Sequence, residues 1–155
     1  MFDNSIKKIN LLNIPLFFKN DFFVLGDAIE SFLSKNKKDI FIAGRKEKYS
    51  EGTIINWFRR KILPSKIFLQ FKDKIKIDNL KIKTLGGSGI ISSEIELDKN
   101  FLNFVGLWLA DGCYDKRSII ISVAEEENKE VVKRFAEKFG LEVNMHSDGF
   151  SSLIN

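Results

Sequence analysis

The chain has one cysteine, one histidine and two prolines in 155 residues. With Cys113 alone no internal disulfide closes, and with His146 alone a Cys/His zinc site has no second ligand of its kind. A serine or cysteine hydrolase triad would have only His146 as its base, and no serine stands in a GxSxG elbow. Any catalysis therefore falls to carboxylates. Long apolar runs are also missing: none approaches the roughly eighteen residues that a membrane span needs. The opening MFDNSIKKINLL mixes acid and base before a short apolar stretch ending at Pro15, without the apolar region and cleavage site of a secretory signal. A cytoplasmic protein that does not enter a membrane is expected.

What the chain does have is an ordinary soluble balance, 44% hydrophobic and 30% charged, with a net charge of +4. The charge is unevenly spread. Between Lys35 and Lys66 stand ten Lys/Arg against Asp39, Glu47 and Glu51, a local +7, whereas from Lys99 onward seven bases face nine acids. A concentrated basic field is the electrostatic footprint of a nucleic-acid surface. The alternative is a solvated face in a lysine-rich protein, since 20 of the 25 bases are lysine.

Hydrophobic periodicity organises the chain. From Val24 to Lys35, Leu25, Ile29, Phe32 and Leu33 recur at helical spacing and predict an amphipathic helix. Asp39 to Ala43 is too short to assign, and Gly44 followed by RKEKYS reads as a polar turn. Ser50 is placed to cap a second helix through Lys61, with Ile54, Ile55, Trp57 and Phe58 as its apolar stripe and Pro64 beyond its end. The period then changes to two: in DKIKIDNLKIK, Ile75 and Ile77 alternate with charge and predict a strand or hairpin. After the GGSG turn at Gly86 to Gly89, Asp98 is placed to cap a helix that is apolar nearly all round to Asp111, and so is expected to be buried on most faces. Ser118 to Val123 predicts a strand, Glu126 to Phe139 a helix with Val131, Val132, Phe135 and Phe139 on one face, and Leu141 to His146 a strand before FSSLI begins another.

Gly106 and Ala110 lie four apart on one helix face and leave a strip with almost no side chain, against which a second helix can pack closely. The segment holding them, FVGLWLADG at Phe104 to Gly112, with the element order that follows, resembles the LAGLIDADG homing endonucleases. Gly106 falls on the family's helix glycine, Ala110 on the small residue a turn later, and Asp111 with Gly112 on the terminal pair; Leu109 stands where the family name has an aspartate. The resemblance covers about Asp98 to Asn155. It implies an α+β chain ending in an αββαββ half-domain that is truncated before the family's closing helix, as in a fragment or a decayed gene.

The resemblance further implies a homodimer through Gly106 and Ala110, a roughly palindromic double-stranded DNA target, and Asp111 as the catalytic residue. Two such helix ends bring two carboxylates together among unpaired carbonyls, where hard oxygen ligands select Mg²⁺, held by Asp111 and Gly112. The short segment from Cys113 to Glu127 leaves room for only a small first hairpin, carrying Lys116 and Arg117 as DNA contacts.

SEGTIINWFRRKILPS at Ser50 to Ser65 resembles the second half of a helix-turn-helix domain. On that likeness Ser50, Thr53 and Asn56 face base edges and phosphates, while Lys48, Arg59, Arg60 and Lys61 track the backbone. The expected organisation is a helix-turn-helix-like module over 1–66, a β-rich linker over 67–97 and a LAGLIDADG-like domain over 98–155. The expected activity is metal-dependent, site-specific DNA cleavage. The alternatives are a non-catalytic DNA-binding regulator on the same fold and an RNA maturase, although nothing in the sequence marks RNA.

Overall fold

The computed structural model describes residues 7–19, 21–85, 89–115, 118–145 and 150–154. It is a mixed α+β fold with antiparallel sheets, divided into two compact units, Asn10–Ile95 and Glu96–Asn155 joined by Met1–Ile9. The chain crosses between them within two short strands, β1 (Lys8–Asn10) and β6 (Glu94–Glu96). Among the described residues no helix is long and apolar enough to cross a membrane.

In the Asn10–Ile95 unit, strand β2 (Phe22–Leu25) leads into helices α1 (Asp27–Lys35), α2 (Lys37–Lys46) and α3 (Glu51–Arg60). Strand β3 (Ile62–Pro64), helix α4 (Ser65–Phe71) and strands β4 (Lys81–Thr84) and β5 (Ile90–Ser92) follow. The sheet order is β3-β2-β4-β5. Register puts Leu63, Val24, Ile82 and Ile91 in one row across it, and alternation along each strand sends that row to one face. Leu63, Val24 and Ile82 join Ile29, Phe32, Ile40, Ile54, Trp57, Ile67 and Phe68 in one buried core.

Three expectations change here. The helix read from Val24 begins only at Asp27: Gly26 takes φ 135°, a backbone open to glycine, and Phe22–Leu25 before it pairs as a strand on both edges. Gly44 does not end an element but lies inside α2, buried. Of the period-two run, only Lys81–Thr84 is strand; Ile75 is buried beyond a 3₁₀ turn, and Asn79 at φ 57° reverses the chain before β4. Residues 67–97 are therefore not a separate linker up to Ile95. β4 pairs directly with β2, so the helices and this segment share one core.

The second unit runs α5 (Lys99–Asp111), β7 (Gly112–Asp115), β8 (Ser118–Ser122), α6 (Glu126–Phe139), β9 (Glu142–Met145), β10 (Phe150–Ile154). Helix, strand pair, helix, strand pair is the expected order, and the antiparallel sheet is arranged β7-β8-β10-β9. Asp98 caps α5, its Oδ1 accepting from the Phe101 N–H at 2.7 Å. Phe104 of α5 stacks on Phe135 of α6 with ring centroids 3.5 Å apart, above Ile121 and Val132. Gly140 at φ 65° ends α6 in the left-handed cap that glycine favours.

Helix α5 departs from its expected burial. Only Phe104 is buried. Phe101, Leu107 and Trp108 pack partly against the unit's core, while Leu102 and Leu109 are 56% and 71% exposed, since α6 and the sheet cover one side of α5 only.

Candidate nucleic-acid interface

Helices α2 and α3 are joined by the four residues Glu47 to Ser50, the length of connection found in helix-turn-helix units. Local chemistry sets the turn. Lys48 takes φ 62°, its N–H bonded to the Arg45 carbonyl at 2.9 Å, and the Tyr49 N–H bonds the Gly44 carbonyl at 3.0 Å. Ser50 is extended and caps α3, accepting from the Thr53 N–H at 3.2 Å. Buried Ile54 and Trp57 hold α3 to the rest, with Tyr49 edge-on to Trp57 at 4.9 Å and Phe58 stacked on Phe41 of α2 at 5.7 Å. Gly44 is the point of close approach. A Cβ there would stand 2.7 Å from Ile54 Cδ1 and 3.2 Å from Trp57, so the helices meet where a side chain is missing.

The remaining face of α3 is open. Gly52, Thr53, Ile55, Asn56, Arg59 and Arg60 are all exposed, as are Lys48 and Ser50 before it. Not every expected contact is equally free. The Ser50 and Thr53 hydroxyls are 2.8 Å apart, bonded to each other as well as through the cap. Lys61 takes a left-handed cap position at φ 56° and its Nζ lies 2.5 Å from Glu30 of α1. Arg45 is 3.4 Å from Glu51, and Lys66 3.3 Å from Asp21, whose hydrogen bond and charge raise the lysine pKa. Of the ten bases between Lys35 and Lys66, these three ion-pair with described residues; Lys48, Arg59 and Arg60 are among the seven that do not.

Sequence spacing placed Ile55 in the apolar stripe, but it is 52% exposed. The signal was available: Ile54, Trp57 and Phe58 follow the 3, 4 spacing of one face, and Ile55 stands about 100° away from Ile54.

On α5, Leu102, Gly106, Leu109 and Ala110 form a second open strip, spaced four, three and one apart. A Cβ on Gly106 would meet nothing within 4 Å, so no neighbour among the described residues asks for glycine there. Gly112 is different: a Cβ would overlap the Trp108 side chain and carbonyl oxygen, so the chain turns from helix into β7 only without one. Asp111 ends α5, exposed, beside Gly112 opposite Ile121 in the sheet. One carboxylate and a neighbouring carbonyl supply two of the six oxygens that an octahedral Mg²⁺ takes. Among the described residues no group of three or more His, Cys, Asp or Glu gathers to hold a metal. Lys116 and Arg117 lie outside the described residues.

Comparison with known proteins finds no matching family model, no matching curated protein and no matching solved structure.

Proposed function

We propose that this chain is a site-specific DNA endonuclease, in which α2 and α3 grip double-stranded DNA as a helix-turn-helix and the α5–β10 unit acts as a LAGLIDADG-type half-site. The observation that carries it is the open strip of α5. Leu102 and Leu109 flank the small residues Gly106 and Ala110 on an exposed apolar face that leads to a carboxylate, Asp111, at the helix end. An exposed apolar strip of this kind marks an interaction face, and a second copy of α5 would cover it through a two-fold axis.

The pairing sets the chemistry. It brings two Asp111 carboxylates together at helix C-termini, where the helix dipoles disfavour negative charge by about 0.3–1 kcal/mol each. A divalent cation between them relieves that cost, and the two Asp111 side chains with adjacent backbone carbonyls supply hard oxygen ligands. Mg²⁺, when bound, supplies Lewis acidity for water attack on a phosphodiester and neutralises the leaving oxygen. The basic face of α3, with Arg59 and Arg60 open, supplies affinity for the phosphate backbone.

The test is cleavage of a duplex selected by binding. The chain is expected to cut it in Mg²⁺ and not in chelator, and Asp111→Asn is expected to bind the duplex and leave it whole. Binding by the unaltered chain with Mg²⁺ present and no cutting would replace this reading with that of a DNA-binding regulator.

A further inference from the structure

The open face of α3 carries two residues that its own fold does not call for. Gly52 lies in the first turn, exposed, and a Cβ there would meet nothing within 4 Å. Glycine in a helix is destabilising relative to alanine, and neither close packing nor a positive φ demands it at this position. Ile55 follows one turn later, 52% exposed although isoleucine is among the residues most often buried. Asn56 is next to it, exposed, its amide bonded to no described residue. Positions 52, 55, 56 and 59 are spaced three, four and seven apart and share one helix face, with Arg59 at its basic end.

These residues differ in what they recognise. An aspargine-type amide matches adenine in the major groove, accepting from N6 and donating to N7, while an apolar side chain is matched by the thymine C5-methyl. Neighbouring positions on a helix face reach neighbouring base pairs. A helix face with no side chain in its first turn also sits deeper in a groove than one with a Cβ there. Glu51, the acid at this end of α3, is held by Arg45 at 3.4 Å, which offsets its repulsion of phosphate.

We propose that α3 reads two adjacent A·T pairs, Asn56 bonding adenine of one and Ile55 packing on the thymine methyl of the next, with Gly52 as the notch that lets the helix seat. This rests on the reading of α3 as a DNA-recognition helix and adds the bases it selects.

The probe is a duplex enriched by the full chain from a random-sequence pool, made in two forms, with thymine or with deoxyuridine at each selected A·T position. Uracil lacks only the methyl. The unaltered chain is expected to lose about fourfold in affinity at one such position, the worth of one buried methyl group. Ile55→Ala is expected to bind the thymine duplex more weakly and to be indifferent to the swap. Gly52→Ala is expected to melt at a higher temperature and yet bind the duplex more weakly, two effects of opposite sign that a purely structural glycine does not give.

Enriched duplexes with no adjacent A·T pairs, or a swap that costs the unaltered chain nothing, overturn the assignment of bases while leaving DNA binding in place. The same holds if Ile55→Ala keeps the full sensitivity to the methyl. No enrichment of any duplex overturns the recognition-helix reading and this inference with it. Because the swap is made in the DNA, the test stands even if a variant folds poorly.

Discussion

Lys138, in the last turn of α6, holds the carboxylate that caps α5: its Nζ lies 2.6 Å from Asp98 Oδ2, while Oδ1 of the same side chain accepts from the Phe101 N–H. The pair ties the end of one helix to the start of the other, which the stacked Phe104 and Phe135 rings also join. Hydrogen bonding from Lys138 first, then from the Phe101 N–H, lowers the Asp98 pKa. A carboxylate whose folded pKa is depressed contributes stability that is present above its unfolded pKa and lost as pH falls through the folded value.

Asp98→Ala is accordingly expected to cost about 0.5–2 kcal/mol at neutral pH, the usual worth of a helix cap. The gap between variant and unaltered chain is expected to narrow below about pH 4, where the unfolded carboxylate begins to take up its proton. Urea denaturation at pH 7 and pH 3 measures both. A gap that widens in acid would mean that Asp98 acts through something other than its charge.

Gly44 sets how closely α2 and α3 approach. Gly44→Leu has to displace Ile54 and Trp57, both buried, and is expected to cost about 1–3 kcal/mol by overpacking. DNA affinity is expected to fall as well, because the turn that aims α3 starts at Gly44, whose carbonyl accepts from Tyr49. Denaturation and duplex binding on the same sample check the two effects together.

Arg59 and Arg60 are the open bases at the end of α3. Replacing both by alanine is expected to flatten the slope of log K against log salt by about two, near 0.9 for each phosphate contact removed. Fluorescence anisotropy across a salt series measures it. Binding that does not vary with salt in the unaltered chain would rule out a phosphate-tracking role for this face.

Leu109 is the most exposed apolar side chain on α5, at 71%. Leu109→Glu places a charge where a second α5 would pack, and is expected to leave the chain monomeric and folded, with a melting temperature that no longer rises with protein concentration, since no buried contact within the chain is removed. Sedimentation of the two proteins at the same concentration decides. Equal mass, with the unaltered chain already monomeric, would remove the proposed pairing.

What sequence reading captured was local chemistry. The Ser50 and Asp98 caps each bond an N–H three residues on, and the α6 stripe of Val132 and Phe135 repeats within one helix, so all the atoms involved lie within a short window. Tertiary structure decided the rest. Gly44 reads as a turn until Ile54, ten residues away, packs where its side chain would be; Phe22–Leu25 reads as the start of a helix until Ile62–Pro64 and Lys81–Thr84 pair on either side. The same holds for function: the run of apolar residues in α5 foretold burial, but which side faces α6 and which is left open depends on a sheet and helix that follow it in the chain. Side-chain spacing defines the faces of a helix, and only packing across distant segments determines which face is covered.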